Sequence, residues 1–442
     1  MSENEQKTLR DSAALRWLAL ILLAGAMFCS YIFMDILSPI KDLMWDTKGW
    51  DSTAFGTMQG SETFLNVFVF FLIFAGIILD KMGVRFTAIL SGAVMLVGAS
   101  INWYALTDMF AGSNLEVWFN EHLNYIPGFD ELGVSPFYKG MPASAKFSAI
   151  GFMIFGCGVE MAGITVSRGI VKWFKGREMA LAMGSEMALA RLGVATCMIF
   201  SPMFARLGGE VSVSRSVAFG VVLLMVALIM FIVYAFMDKK LDSQTGEAEE
   251  KDDPFKLSDL GKILTDSGFW LVALLCVLYY SAIFPFQKYA VNMLQCNLVF
   301  HQVDPSSIWA SNTITIIQYV IMLVVAACAF ASNFSKNKVA KYGLMGAAIV
   351  ALVVFCYMGY MRQSAETVFA VFPLLAVGIT PILGNYVDHK GKAATMLVLG
   401  SLLLIACHLT FAFVLPAFKG SEVGGIIVAY ITILVLGASF SL

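Results

Sequence analysis

The sequence predicts an all-α protein that lives in a lipid bilayer. Three observations carry that expectation. Of 442 residues, 59% are hydrophobic and only 14% are charged, whereas a soluble domain holds near half apolar and a quarter charged residues. The apolar residues fall into stretches of about 20, the length that crosses a hydrocarbon core of about 30 Å as a helix. Lys and Arg recur in every second connection between those stretches, as they do in cytoplasmic loops. A chain filled in this way leaves no room for a separate catalytic domain. A net charge of -2 gives no clustered basic face for a nucleic acid.

Taken in order, the apolar stretches lie at approximately 15–40, 57–80, 84–107, 145–170, 179–205, 213–237, 268–295, 307–331, 342–361, 367–388, 392–415 and 421–442. The first follows a polar opening segment. It is too long for a removable leader and lacks a small-residue cleavage site, so it is expected to stay as a helix. Lys7, Arg10 and Arg16 precede it. Lys81 and Arg85 separate stretches two and three, and Lys172, Lys175 and Arg177 separate four and five. Lys239, Lys240, Lys251, Lys256 and Lys262 follow stretch six, Lys336, Lys338 and Lys341 follow eight, and Lys390 and Lys392 follow ten. The alternation sets the N-terminus on the cytoplasmic side. The opposite loops are mixed or acidic, as in 108–144 with Glu116, Glu121, Asp130 and Glu131. Residues 238–266 form the long polar run of the cytoplasmic side. They read as a solvated tether between an N-terminal bundle, 1–237, and a C-terminal bundle, 267–442.

A short pattern occurs twice. After stretch two the sequence reads Gly76-Ile-Ile-Leu-Asp80-Lys81-Met-Gly83-Val-Arg85, and after stretch ten Gly384-Asn-Tyr-Val-Asp388-His-Lys390-Gly391-Lys392. Gly allows close helix contact and a tight turn, Asp can meet a helix N-terminus or a basic side chain, and the cations stay on the cytoplasmic face. One copy would be weak; two at matching positions point to an internal duplication of the kind found in carriers that rock one half against the other. These turns resemble the signature loop of the major facilitator superfamily. The resemblance implies two pseudo-symmetric helical bundles around a central cavity, working by alternating access. Further stretches are similar to its lysosomal dipeptide transporter subgroup: Gly158-Val-Glu160-Met-Ala, Val171-Lys-Trp173-Phe174-Lys175-Gly176-Arg177-Glu178, Met187-Ala-Leu-Ala-Arg191-Leu-Gly193, Cys276-Val-Leu-Tyr279-Tyr280-Ser-Ala-Ile-Phe284-Pro285-Phe286 and Ser30-Tyr31-Ile-Phe-Met-Asp35. Against that pattern the sequence carries an extra helix pair, about 307–361, in its second half. It stops inside what resembles the tenth helix, so either it is a truncated piece of a longer protein, the favoured reading, or the extra pair substitutes for part of the second bundle.

Ionised groups at membrane depth are costly and mark functional sites by default. Glu160 sits in stretch four; Glu186 and Arg191 sit in stretch five. A zwitterionic peptide needs a carboxylate for its amine, a guanidinium for its carboxylate, and hydroxyl or aromatic walls. Glu160 and Arg191 supply the two ends, and the resemblance implies peptide binding at both; a plain ion pair among Glu160, Glu186 and Arg191 is the competing reading. Tyr279 and Tyr280 precede Pro285, which can bend its helix; with Tyr31 they are candidate cavity walls, against ordinary packing. Tyr31, Asp35, Glu62 and Lys288 are nearer the outer face, either as an outer gate or as interfacial groups that snorkel. Arg168, eight residues beyond Glu160, is an inner-gate charge partner. The gating set is Gly76, Asp80, Gly83, Arg85, Arg168, Pro285, Gly384, Asp388 and Gly391.

The expected function is transport of short peptides, passive or coupled to protons through Glu160, Glu186 or Glu62. The other readings are an organic-anion or nitrate-type porter, which wants two cations where only Arg191 convinces, and a sensor or scaffold of the same fold. An accessory membrane subunit is compatible with each of them. No Ser/His/Asp set, phosphate loop or metal-ligand spacing is present, so neither enzyme, cofactor nor metal is expected. Eight Cys without a CxxC pair argue against a disulfide frame. The sole Asn-x-Ser/Thr triplet, Asn333-Phe-Ser335, falls in a cytoplasmic loop, and the N-terminal tail lacks an acidic-dileucine signal. Both favour a bacterial inner membrane, although the resemblance itself points to lysosomes.

Overall fold

The computed structural model describes residues 8–124, 137–176, 178–245, 261, 263–335, 337–390, 393–421 and 423–441. Among these, the secondary structure is helical throughout. The helices are α1 (Ala13–Met34), α2 (Lys41–Lys48), α3 (Ser52–Gly60), α4 (Phe64–Phe68), α5 (Phe71–Ala105), α6 (Asn114–His122), α7 (Ala143–Phe174), α8 (Met179–Ala205) and α9 (Val213–Thr245). Then come α10 (Ser267–Asn297), α11 (Asn312–Phe334), α12 (Lys338–Met361), α13 (Ala365–Lys390), α14 (Ala393–Leu409) and α15 (Gly424–Ser441). Ten helical segments are long and apolar enough to cross a membrane, with Ala365–Thr380 a shorter apolar helix beside them.

Of the two stretches by which twelve exceeds ten, one is stretch ten, which is the shorter helix Ala365–Thr380, and the other has a local cause. Stretches two and three share α5, which runs through both and kinks at Gly83, where φ is 79° and ψ 167°. A side chain resists that left-handed conformation and Gly does not. Before α5 the chain breaks instead: Val69 ends α4 and Phe70 adopts φ 56°, an uncommon conformation for a bulky residue. Stretch two is therefore a broken element, Ser52–Phe68 followed by the first turns of α5.

Contacts divide the chain into two units. The first comprises 1–30, 44–182 and 220–288; the second comprises 31–43, 183–219 and 289–442. In the first, α5 and α7 make the most extensive helix pairing. Glycines let their backbones meet: a Cβ on Gly98 would lie 2.5 Å from Gly151 O, and one on Gly158 would lie 2.7 Å from Met95 N. Lipid supplies no hydrophobic drive between helices, so such close backbone packing holds them together. In the second unit α11 packs on α12, and α15 packs on both α13 and α14.

Helix α9 continues to Thr245, past the expected end of stretch six at 237. The reason is an ionic anchor inside the first unit. Asp238 is fully buried. It accepts hydrogen bonds from Lys172 Nζ at 2.7 Å and Trp173 Nε1 at 3.0 Å, and Tyr234 donates its hydroxyl at 3.4 Å. One turn on, Asp242 pairs with Lys172 at 2.7 Å and with Arg85 at 3.0 Å. Lys239 and Lys240 thus ride on a helix; the rest of the expected tether, 246–260 and Lys262, lies outside the described residues.

Two pairs of variants test this packing. Gly98→Ala should lower the thermal unfolding midpoint in detergent, corresponding to about 1–3 kcal/mol of overpacking. Gly163→Ala, where an added Cβ meets nothing within 4 Å, should stay within about 0.5 kcal/mol. Asp238→Ala leaves the buried Trp173 N–H and Tyr234 hydroxyl without their acceptor and should cost about 1–3 kcal/mol, whereas Asp80→Ala, which removes a partly exposed pair, should cost about 1 kcal/mol or less.

Candidate functional site

Helix α7 of the first unit carries Glu160. Most of its residues are buried, but Glu160, Ile164 and Arg168 lie on a less covered strip, since residues four apart share one helical face. Beside Glu160, Gly163 opens onto free space. Glu160 is half-buried and, among the described residues, makes no ion pair or hydrogen bond. The ion-pair reading of this carboxylate therefore finds no partner for it in the first unit. Eight residues on, Arg168 is paired: its guanidinium donates to Asp80 Oδ1 at 2.5 Å. Asp80 belongs to the first Gly-Asp turn, so that turn is tied to α7, while Arg85 of the same turn is tied to α9. Gly76 has nothing within 4 Å of an added Cβ, and Gly83 forms the kink.

The same unit holds the other aromatic and gate candidates. Tyr279 is half-buried and Tyr280 is 49% exposed. Their rings meet edge to face at 6.4 Å, and Tyr280 also packs on Phe284. Helix α10 runs on through Pro285. Glu62 and Lys288 come together at 3.9 Å with both side chains about a tenth exposed, and Lys288 lies 5.9 Å from the Phe152 ring centroid. The Glu62 backbone approaches Gly156 so closely that a Cβ there would collide with it. The Lys288 ammonium thus has a carboxylate and an aromatic face as neighbours, which suits a buried cation.

In the second unit, α8 carries Glu186, which is buried, and Arg191, which is half-buried. The Arg191 guanidinium sits 3.6 Å from the centroid of the Phe440 ring, and Phe440 packs on Phe372. Arg191 also acts electrostatically on Glu186. A planar guanidinium stacks readily on an aromatic face. Tyr31 is half-buried, and Asp35 below it is buried and accepts from Ser38 Oγ at 3.3 Å. Gly384 and Asp388 lie on α13, and Gly391 falls outside the described residues.

Sequence reasoning missed Asp238, Asp242 and the polar role of Trp173. The signal was present: two carboxylates four residues apart just beyond an apolar stretch continue its helical face.

The family model for the Major Facilitator Superfamily matches residues 23–365. The chain is 25% identical over 280 residues to the zebrafish (Danio rerio) protein named lysosomal dipeptide transporter MFSD1, a match covering 61% of this chain and 52% of that protein. The human protein of the same name is 24% identical over 280 residues, with the same two shares. The chain spans about half the length of these curated relatives. Among solved structures, the xylose transporter XylE from E. coli, partially occluded and inward open, covers 96% of this chain and 84% of its own at a TM-score of 0.50 and 10% identity. That identity speaks for the fold alone. With the family model spanning most of its length, this multi-pass membrane chain belongs to the Major Facilitator Superfamily of small-molecule transporters.

Proposed function

We propose that the protein carries short peptides, dipeptides first, by alternating access between an N-terminal bundle, 1–237 with the anchored end of α9 to Thr245, and a C-terminal bundle, 267–442. The observation that carries this reading is Glu160: a carboxylate on a membrane-crossing helix, on an open strip, with no ionic partner among the described residues. In hydrocarbon such a charge is expensive; in a water-filled passage it is a receptor for an ammonium. Arg191 on its aromatic platform takes the peptide carboxylate, with Glu186 setting the local charge. Tyr31, Tyr279 and Tyr280 supply walls that tolerate varied side chains. The relatives named as dipeptide transporters support the substrate class.

Gating follows from the pairs. Asp80–Arg168 and Arg85–Asp242 hold the first turn against α7 and α9 on the face assigned to the cytoplasm. Glu62–Lys288 holds the opposite face. Gly83, Pro285 and the second turn, Gly384, Asp388 and Gly391, supply the bending points. The alternation of Lys and Arg supports an N-terminus in the cytoplasm, and a bacterial inner membrane suits the absence of an outward glycan acceptor. Protons enter only if Glu160, Glu186 or Glu62 titrates in the cycle.

The test is uptake of labelled dialanine into proteoliposomes. Wild type should show saturable uptake. Glu160→Gln and Arg191→Ala should each reduce kcat/KM about tenfold to a hundredfold, the weight of one charge-assisted hydrogen bond. Unchanged uptake in Arg191→Ala removes the carboxylate assignment, and absence of saturable uptake in wild type removes the peptide reading. Uptake driven faster by an inward proton gradient marks coupling; indifference to the gradient marks a uniporter.

A further inference from the structure

The second unit forms an open cavity of about 1000 Å³ where α11 and α13 begin and α12 ends. Neither Glu160 nor Arg191 lines it. Its walls are polar and charged: Arg206 and Arg362 face it, with Asp304, Glu366, His301 and Gln318. Formal charges balance when His301 is neutral.

Arg362 is the distinctive group. It ends α12, and its Nη1 is buried with no hydrogen-bond partner. A guanidinium carries five donors and no acceptor, and a buried donor left unmade bears its full desolvation cost. Burial pulls Arg362 below its ordinary pKa, and the neighbouring Glu366 carboxylate pushes it back up. The turn between them is pinned. Gln363 adopts φ 50°, a conformation that costs energy in a residue with a side chain and persists where its surroundings over-determine it. Its side chain accepts from His301 N at 3.2 Å and donates to Tyr360 O at 2.8 Å. Ser364 then donates to Glu366 Oε2 at 2.8 Å and accepts from Thr367 N at 3.1 Å. Gln318 Nε2 donates to Thr367 Oγ1 at 3.2 Å, fixing α11 to α13 at the cavity wall. In the 300–305 segment, the Ser306 N–H and hydroxyl, at 2.9 and 2.8 Å, hold the Asp304 carboxyl below its usual pKa, so it stays ionised.

A fixed guanidinium with an unused buried donor calls for an oxyanion. The carboxylates beside it repel a simple anion and attract a cation. Both demands are met by one molecule that carries a carboxylate and an ammonium a few ångströms apart. We infer that this cavity is a second recognition site, binding a small zwitterion with its carboxylate on Arg362 and its ammonium toward Glu366. The choice of a dipeptide as probe rests on the transport reading; the site does not.

The test reads Arg362 itself. The purified full chain is treated with phenylglyoxal, which modifies arginine, and modification at Arg362 is followed by mass spectrometry of the peptide that contains it. Dialanine should slow that modification at least threefold, while dialanine amide at the same concentration, lacking the carboxylate, should not. In Glu366→Gln the protection by dialanine should fall at least twofold. Equal rates with and without dialanine, equal protection by the amide, or a failure of phenylglyoxal to reach Arg362 at all would each overturn the site. Protection without dipeptide uptake leaves the site and removes the transport reading; uptake without protection does the reverse.

Discussion

A charge moved to the centre of a bilayer costs about 2.5–3.5 kcal/mol on insertion scales, and that cost arranges the polar groups of this protein. Nearly every ion that the described helices carry close to the apolar stretches has been given a partner. Asp238 and Asp242 gather Lys172 and Arg85, Asp80 takes Arg168, and Glu62 takes Lys288. Lys146, buried at the start of α7, donates instead to Phe119 O and Asn124 Oδ1. Paired groups lock helices to one another. Glu160 departs from that pattern among the described residues, and a carboxylate without an ionic partner there is tolerable on a lipid-crossing helix where water reaches it.

The helix contacts obey the same solvent. Since lipid is as apolar as a leucine, α5 and α7 are held by backbone approach at Gly98, Gly151 and Gly158 and not by side-chain bulk. Such contacts are unforgiving of added volume, whereas the strip holding Glu160 and Gly163 has room. One helix thus has a tightly fitted face and an open one, and the ionisable candidate sits on the open one.

Much of this was legible in the sequence because the bilayer constrains length and charge so strongly. The expected stretches recur as helices, and the repeated Gly-Asp pattern located the kink at Gly83. What stayed hidden depended on contacts between distant segments. Phe70 breaks the second stretch through a left-handed backbone that its side chain gives no reason to expect. Asp238 looked like the start of a solvated tether because its partners, Lys172 and Trp173, lie 66 and 65 residues away. Arg362 sits in a turn, where a cation is ordinary, and only its buried, unused donor sets it apart. Glu160 and Arg191 were found from their depth in apolar stretches, which tells where a charge is and not which way it faces.

The account stands on those two side chains looking into water. With the eight native cysteines replaced, single cysteines at Glu160→Cys and Arg191→Cys should react with a charged, membrane-impermeant methanethiosulfonate reagent, and dialanine should slow both reactions. If neither position reacts from either side of the membrane, no aqueous passage reaches them and the assignment of both as ligands is contradicted.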